Sequence, residues 1–407
     1  MSYHLFDVFG VELEYMIVDR TTRKIRPIAD QIFKETTGSF TADFENGSVS
    51  WSNELVSHVV EIKTNGPAKT LKGLEAAFHE NVLKINSILE KHNAVLMPGG
   101  AHPTVDPLTE TQIWPHEHNE VYALYNRVFN CKGHGWSNLQ STHINLPFTG
   151  DAEFKRLHAA IRMLLPLIPA LSASTPYFDG KFSGYKNMRL EFYRKNQARI
   201  PIIAGLVVPE RVFTKADYYD AIFNPIIEAI KPYDGEGILD HHFLNSRGAI
   251  ARFDRGAIEI RIIDIQECPK MDLAILDLIV AVLKHLCALP ESKQKLMQSQ
   301  SEQVLSSHFL KVIKEGEDAR LDYPELNEIL GLPTGDIVAR DIWMHLLNQH
   351  AKEMDETCVN LIDTLLKEGS LASRMIKFCG TNPSLQQIDL LNQRLISSLS
   401  NNEMFLA

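Results

Sequence analysis

The stretch GVELEYMIVD, residues 10–19, alternates apolar side chains with other side chains at a period of two. This period predicts a β-strand, because successive side chains of a strand point to opposite faces of its sheet. Glu12 and Glu14 then share one face. The other face is apolar and is predicted to join the core: Val11, Leu13, Tyr15 and Ile17. The acidic face is either exposed to water or in contact with a positively charged group.

Two later stretches repeat this pattern. In STHINLP, residues 141–147, His143 and Asn145 alternate with apolar positions, and in AIEIRII, residues 257–263, Glu259 and Arg261 alternate with isoleucine. Carboxylates on one surface repel each other, and a buried charge without a partner costs on the order of several kcal/mol. The repetition therefore favours a bound cation over a solvated surface.

The stretch NELVSHVVEIKT, residues 53–64, adds Glu54 and Glu61. Their separation of seven places them on opposite faces of any regular strand. Either a bulge or bend intervenes near Ser57, or one of the two lies outside the site. Glu61, between two β-branched residues, fits the pattern better than Glu54.

The rest of the chain predicts an α+β fold with a largely antiparallel sheet, because strands follow one another through hairpins or long helical excursions. Asn46-Gly47 and Asp254 to Gly256 are turn signals between strands, and AVLMPGG predicts a strand that ends at a glycine turn. Residues 1–290 are predicted to form the catalytic region and residues 291–407 a helical region packed on it. The predicted helices cover residues 70–92, 109–130, a segment that begins with Asp151 as N-cap, 270–286 and most of the chain after 290.

Composition excludes several classes of protein. The chain has 407 residues, 44% hydrophobic and 23% charged, as in ordinary globular proteins. Its net charge of -10 argues against nucleic-acid binding through phosphate neutralisation, so small-molecule substrates are expected. The start of the chain has no signal-peptide pattern and the most apolar run, residues 273–289, contains Asp277 and Lys284, so we expect a cytoplasmic protein without a membrane partner. The sequence is compatible with a homo-oligomer but does not determine the oligomeric state.

Glutamate oxygens with one imidazole suit Mg²⁺, or alternatively Mn²⁺, better than zinc. The five cysteines contain no Cys-x-x-Cys pair, and HEHNE, residues 116–120, lacks the second histidine of a zinc helix and is interpreted as the exposed start of a helix. Phosphate-loop, dinucleotide-binding and nucleophile-elbow motifs are absent from the sequence. The glycines of MPGGAHP and of GHGW, residues 133–136, are interpreted as turn residues.

Four segments together resemble the glutamate–cysteine ligase type 2 family of carboxylate–amine ligases, within the glutamine synthetase superfamily: GVELEY, STHINLPF, LSASTPYFDG and IEIRIID. The resemblance spans about residues 5–290 and implies a bowl-shaped antiparallel sheet, helices on its convex side, and ATP with Mg²⁺ on its concave side. The chain also departs from the family pattern. Many members have His-x-His where this chain has His143-Ile144-Asn145, and the GHGW segment is not part of the pattern.

The resemblance also implies roles for individual residues. Arg261 corresponds to the arginine that faces the ATP phosphates and is the predicted catalytic and nucleotide-binding residue. Arg189, Arg252 and Asn145 are predicted to bind substrate. The predicted metal ligands are Glu12, Glu14, Glu54, Glu61, His143 and Glu259.

The function implied is an ATP-dependent ligase that forms an amide bond of the γ-glutamyl type through an acyl phosphate. L-Glutamate is a candidate for the carboxylate and cysteine for the amine. A metal-dependent amide hydrolase and a non-catalytic relative that binds a nucleotide or small molecule are the alternatives.

Overall fold

The structure is a computed structural model that describes residues 3–407. Within that range, eight strands form the main sheet and two short pairs lie outside it. The strands are β1 Gly10–Asp19, β2 Asp43–Asn46, β3 Val49–Asn53, β4 Val59–Thr64, β5 Ala94–Met97, β6 Ser141–Pro147, β7 Tyr177–Phe178, β8 Lys181–Phe182, β9 Ala249–Arg252, β10 Ala257–Asp264, β11 Arg320–Leu321 and β12 Ile337–Val338.

The main sheet has the order β2-β3-β4-β1-β6-β10-β9, and β5 pairs with the end of β1. Every strand pair in it is antiparallel. The prediction of an α+β fold with a large antiparallel sheet is therefore confirmed. Strand β1 lies at the centre, so the acidic pattern that opens the chain is flanked on both sides by paired strands.

The two faces of the sheet differ as the alternation predicts. Val11, Leu13, Tyr15 and Ile17 are fully buried in the main hydrophobic core. Burial of each such aliphatic side chain stabilises the fold by about 1.5–3 kcal/mol. The opposite side carries Glu12, Glu14, Glu61, His143 and Glu259, and we call it the acidic face.

Helices cover the apolar side of the sheet. Helix α2 contacts β3, β4 and β5, and α12 packs against both α2 and α6. The helices up to the predicted boundary are α1 Ala29–Thr37, α2 Leu74–Leu89, α3 Pro107–Glu110, α4 Asn119–Phe129, α5 His134–Ser137, α6 Gly150–Leu164, α7 Pro169–Ser172, α8 Met188–Tyr193, α9 Lys215–Tyr218, α10 Asn224–Ile230, α11 His241–Leu244 and α12 Pro269–Ala288.

Two helix predictions were wrong in detail. Residues 109–130 do not form one helix, because Ile113 makes a β-bridge with Val56 and Pro115 has no N–H to donate. Helix α6 begins one residue before Asp151, which lies in the first turn while Thr149 is the N-cap. An acidic side chain there still favours the helix through the dipole.

The chain after residue 290 is helical, as predicted: α13 Glu291–Ser299, α14 Glu302–Glu315, α15 Pro324–Leu330, α16 Ala339–His350, α17 Glu356–Glu368, α18 Leu371–Cys379 and α19 Leu385–Asn401. Helix α17 packs along α12. Arg374 forms a buried ion pair with Glu267, which also accepts a hydrogen bond from the backbone N of Phe405 at 3.1 Å. Buried polar contacts thus connect this region to the segment between β10 and α12, and the division at residue 290 stays a prediction.

In residues 3–407, no helix by itself has both the length and the apolar character needed to cross a membrane. Only α12 and α13 taken together meet those two criteria, and they meet at an angle of 113°.

Candidate active site on the acidic face

The register of three neighbouring strands brings the predicted residues together. Glu12 of β1 lies opposite His143 of β6, and Glu259 of β10 lies opposite Asn145 of β6. Residues directly opposite on antiparallel strands have side chains on the same face, about 4.5–5.5 Å apart at Cβ. The register therefore places the polar positions of the three alternating segments on one face, while their roles stay predictions.

Glu12, His143 and Glu259 form a compact group. His143 Nδ1 donates to Glu12 Oε2 at 2.9 Å and lies 3.8 Å from Glu259 Oε1. One ligand atom from each of the three lies within 4.8 Å of the others. Two carboxylates and one imidazole are a donor set that Mg²⁺ or Mn²⁺ accepts, so the residues fit the implied metal. Asn145 supports the group, since its Nδ2 donates to Glu12 Oε1 at 3.0 Å.

Glu14 and Glu61 lie directly opposite each other on β1 and β4. Glu14 accepts hydrogen bonds from Ser141 N at 2.7 Å and Ser141 Oγ at 3.0 Å. Glu61 is 2.7 Å from Lys63 Nζ, a cation that the sequence reasoning did not consider. Burial raises the pKa of both carboxyl groups. The charge of Glu61 raises the pKa of Glu14 further, and the charge of Glu12 raises the pKa of Glu61 further. Lys63 lowers the pKa of Glu61, and the Ser141 backbone N–H lowers that of Glu14, but these contacts offset only part of the effect of burial.

Glu54 joins the site through a turn. The segment 53–64 is not one strand: β3 ends at Asn53, a turn occupies Ser57 and His58, and β4 begins at Val59. The predicted bend near Ser57 is thus present, and Glu54 extends the face that Ser52 shares with Glu61. Burial, followed by the charges of Glu14 and Glu61, raises the pKa of Glu54 well above its ordinary value.

Arg261 lies at a bulge in β10. Ile260 pairs with Ile144 and Ile263 with Thr142, so two residues of β10 lie opposite His143 alone. Bulges redirect side chains and are common beside active sites. Arg261 Nε lies 2.9 Å from Glu259 Oε1. Although burial lowers the pKa of Arg261, the carboxylates around it raise that pKa overall, so the guanidinium stays charged.

The other two predicted arginines lie in different surroundings. Arg189 is buried, its Nη1 donates to Asp264 Oδ1 at 3.3 Å, and its Nη2 donates to the carbonyl oxygen of Arg261 at 3.1 Å. Arg252, on β9, donates from Nη2 to Asp254 Oδ2 at 2.9 Å and reaches Glu259 only at 3.9 Å. Arg189 therefore lies beside Arg261, whereas Arg252 lies at the far end of the site.

A cavity of about 240 Å³ opens beside His143. Its lining includes Glu14, Glu54, His143, Arg189 and Arg261, but neither Glu12 nor Glu259. The sequence reasoning missed the rest of the lining. Except for Ser141 of β6, it comes from helices and loops: Leu55, Tyr122, Tyr125, Gly135, Trp136, Leu139, Tyr193, Asn196, Gln197, Phe243 and Ser246. The GHGW segment was the one available signal, because it combines glycines with an aromatic residue outside any strand pattern.

The profile described as "Glutamate-cysteine ligase family 2" matches residues 8–383. The chain belongs to this family. The predicted resemblance is therefore confirmed, and over a longer segment than the four motifs covered. Membership of glutamate–cysteine ligase family 2 supports an ATP-dependent carboxylate–amine ligase.

Curated proteins similar to the chain show how far this family likeness extends. A protein of Archaeoglobus fulgidus described as uncharacterized is 32% identical over 400 residues, 98% of this chain and 100% of that protein. A protein of Rubrobacter xylanophilus named putative glutamate–cysteine ligase 2-3 is 23% identical over 197 residues, 45% of this chain and 47% of that protein. The description of the Archaeoglobus fulgidus protein, which is similar over its full length, thus names no substrate.

Among solved structures, glutamate–cysteine ligase from Francisella tularensis in complex with AMP has a TM-score of 0.61. The match covers 97% of this chain and 89% of that one at 11% sequence identity. At this identity the likeness concerns the fold alone, and it agrees with the predicted fold class.

The raised pKa of Glu54 predicts a measurable effect of pH on the stability of this protein. Because this pKa is raised, the folded chain holds the Glu54 proton to higher pH than the unfolded chain does, and the stability that this proton contributes is lost as the pH rises through the folded-state pKa. We compare the free energy of unfolding of Glu54→Gln with that of the wild type, both in EDTA. We expect this difference to favour the variant by about 1–3 kcal/mol more at pH 8 than at pH 5. Chemical denaturation at both pH values measures this difference.

The matched control is Glu45→Gln, since Glu45 is exposed on β2. It should change the free energy of unfolding equally at both pH values. An equal effect of Glu54→Gln at pH 5 and pH 8 would contradict the prediction.

Proposed function

We propose that the protein is an ATP-dependent ligase that joins a carboxylate to an amine through an acyl phosphate. One observation carries the proposal: the Glu12, His143 and Glu259 group adjoins Arg261 on one face of the sheet. A compact site for a divalent cation beside a permanently charged guanidinium suits a triphosphate. Family membership supports the same assignment.

The chain's own residues have distinct tasks in this reaction. Glu12, His143 and Glu259 would hold one Mg²⁺, or alternatively Mn²⁺. Glu14, Glu54 and Glu61 would supply carboxylate ligands to a further ion of the same kind. Bound metal would neutralise the triphosphate and align it for in-line transfer. Arg261 stabilises the negative charge that develops on the transferred γ-phosphoryl group.

The chemistry takes two steps. A carboxylate oxygen of the first substrate attacks the γ-phosphorus, an O–P bond forms, and the bond to the bridging oxygen of ADP breaks. The amine nitrogen then attacks the carbonyl carbon of the acyl phosphate, the C–O bond to phosphate breaks, and the amine loses a proton. Arg189 and Arg252 are proposed to orient the carboxylate substrate, with L-glutamate as the candidate, and Asn145 keeps Glu12 in place.

Two observations argue against the alternatives. A hydrolase that activates water does not need Arg261 beside its metal ligands, whereas a phosphoryl transferase does. A non-catalytic relative is expected to have lost metal ligands, but the whole predicted set is present. The cytoplasmic location expected from the sequence is part of this proposal.

An isotope experiment tests the acyl phosphate. A carboxylate substrate labelled with ¹⁸O should transfer one labelled oxygen to the released phosphate, because that oxygen bridges carbon and phosphorus in the intermediate. We expect labelled phosphate and amide in amounts equal to ADP, measured by mass spectrometry after a screen of amino acids and amines for ADP release with ATP and Mg²⁺.

Unlabelled phosphate with full amide yield would exclude the acyl phosphate. Release of AMP and pyrophosphate would indicate adenylation of the carboxylate instead. Amide cleavage without ATP would assign the protein to the hydrolases.

A further inference from the structure

The cavity beside the acidic face has a charged floor and an apolar wall. Glu14, His143, Arg189 and Arg261 form the floor. The wall consists mainly of aromatic and aliphatic side chains: Leu55, Tyr122, Tyr125, Trp136, Leu139 and Phe243. A ligand in this cavity therefore meets polar groups at one end and apolar groups at the other.

The GHGW segment holds the wall in place. A Cβ atom on Gly135 would lie 2.8 Å from Asn196 Cβ, so this close approach requires glycine. Trp136 Nε1 donates to the carbonyl oxygen of Asn196 at 3.3 Å, and Asn196 Nδ2 donates to that of Gly135 at 2.9 Å. These reciprocal bonds hold the Trp136 indole at the cavity.

The aromatic residues of the wall also order one another. The ring of Tyr125 meets Trp136 at 5.3 Å and Phe243 at 5.1 Å between centroids, edge to face in both cases. Such pairs contribute about 0.5–1.5 kcal/mol beyond the burial of their area. The wall is thus a preformed apolar surface, and ordering it on binding costs little.

The wall carries no positive charge. The lining contains no lysine, and its two arginines belong to the floor. Asn196, Gln197 and Ser246 also line the cavity but are uncharged, and Glu54, outside the floor, is itself a carboxyl group. A substrate tail that lies on the wall should therefore be uncharged.

Within the proposed ligase function, we infer that this cavity accepts an arylalkylamine, a primary amine whose aromatic ring packs on the Tyr125–Trp136–Phe243 wall while its nitrogen faces the floor. The volume of about 240 Å³ lies below the range of pockets for drug-sized ligands and limits the amine to one ring on a short chain. Small amines such as methylamine leave the wall uncovered, and cysteine places a carboxylate against it.

Steady-state kinetics of ADP release test this inference. Phenethylamine, tyramine, methylamine and cysteine are compared with ATP, Mg²⁺ and L-glutamate, and calorimetry with Mg²⁺ and ATP measures phenethylamine binding without turnover. We expect kcat/KM for phenethylamine to exceed that for methylamine and cysteine at least about tenfold, which corresponds to about 1.4 kcal/mol of differential binding.

The variant Trp136→Leu should raise the KM and Kd for phenethylamine about tenfold while the KM for ATP and kcat at saturating amine stay near wild type. The control is Phe40→Leu, which removes an aromatic ring exposed outside the cavity and should change none of these constants.

Three outcomes separate this inference from the proposed function. Preference for methylamine or cysteine, with ADP and amide formed, overturns the inference but leaves the ligase intact. Binding of phenethylamine that depends on Trp136, without any ATP-dependent amide formation, supports the cavity assignment and overturns the ligase. If phenethylamine is neither bound nor turned over, the inference is overturned.

Discussion

Replacement of Arg261 by alanine should reduce kcat for ATP-dependent amide formation about 10³-fold. The guanidinium faces Glu259 at 2.9 Å and is held charged by the carboxylates around it, so in the proposed mechanism it would stabilise charge on the γ-phosphoryl group. The arginine that stabilises phosphoryl transfer in GTPases contributes about 10³–10⁵ in kcat, and the lower bound of this range is expected here. Quenched-flow or steady-state ADP release in excess Mg²⁺ measures the loss.

The control for this prediction is Arg252→Ala. Arg252 is paired with Asp254 and lies 3.9 Å from Glu259. Because it is proposed to orient the carboxylate substrate and not the phosphates, its loss should raise the KM for that substrate, while kcat at saturation falls far less than in Arg261→Ala. Equal losses in the two variants would show that Arg261 has no special position relative to the phosphates. Binding of Mn²⁺, followed by electron paramagnetic resonance, should be retained in both variants because every predicted ligand stays in place.

The second large effect concerns stability. Asp264 is fully buried and accepts hydrogen bonds from Ser174 N at 3.0 Å, Thr175 Oγ1 at 3.2 Å and Arg189 Nη1 at 3.3 Å. Asp264→Asn keeps the shape but leaves the guanidinium of Arg189 buried without a counter-charge. Breaking a buried pair by changing one partner costs about 3–5 kcal/mol, and we expect the free energy of unfolding to fall by this amount.

The same change in an exposed pair provides the control. Asp254 accepts from Arg252 at 2.9 Å on the surface, where an ion pair contributes about 0–1 kcal/mol, so Asp254→Asn should have little effect. Urea denaturation at pH 7 compares the two variants. A similar small effect for both would mean that Arg189 finds another partner when Asp264 is neutral.

The acidic face could be predicted because strand alternation is a local property. Glu12, Glu14, His143 and Glu259 each occupy the polar positions of an alternating segment, so their faces follow from period two once the strands are adjacent. Family resemblance supplied the adjacency, since composition and spacing do not determine strand order. The roles of the individual residues stay predictions, because their contacts place them together without assigning a ligand to each.

Other features depend on contacts that no local pattern encodes. The bulge at Arg261 adds one residue to β10 inside a segment whose alternation continues without a break, and isoleucine on both sides hides it. Glu54 reached the site through a turn that the spacing allowed but did not require. The cavity wall is assembled from Tyr125, Trp136 and Phe243, which lie on separate segments and meet only in the folded chain.

The link between Glu267 and the last residues also bears on how the protein is made. On the ribosome, the acidic face of β1 stays incomplete until β10 has been synthesised nearly 250 residues later. Even then Glu267 needs Arg374, 107 residues further along the chain, and the backbone N–H of Phe405. The buried carboxylate of Glu267 therefore finds its partners only late in synthesis, and large proteins with such late contacts pass through incompletely packed states that are prone to aggregate. Replacement of Arg374 by alanine should consequently lower the yield of folded protein while leaving the whole acidic face encoded.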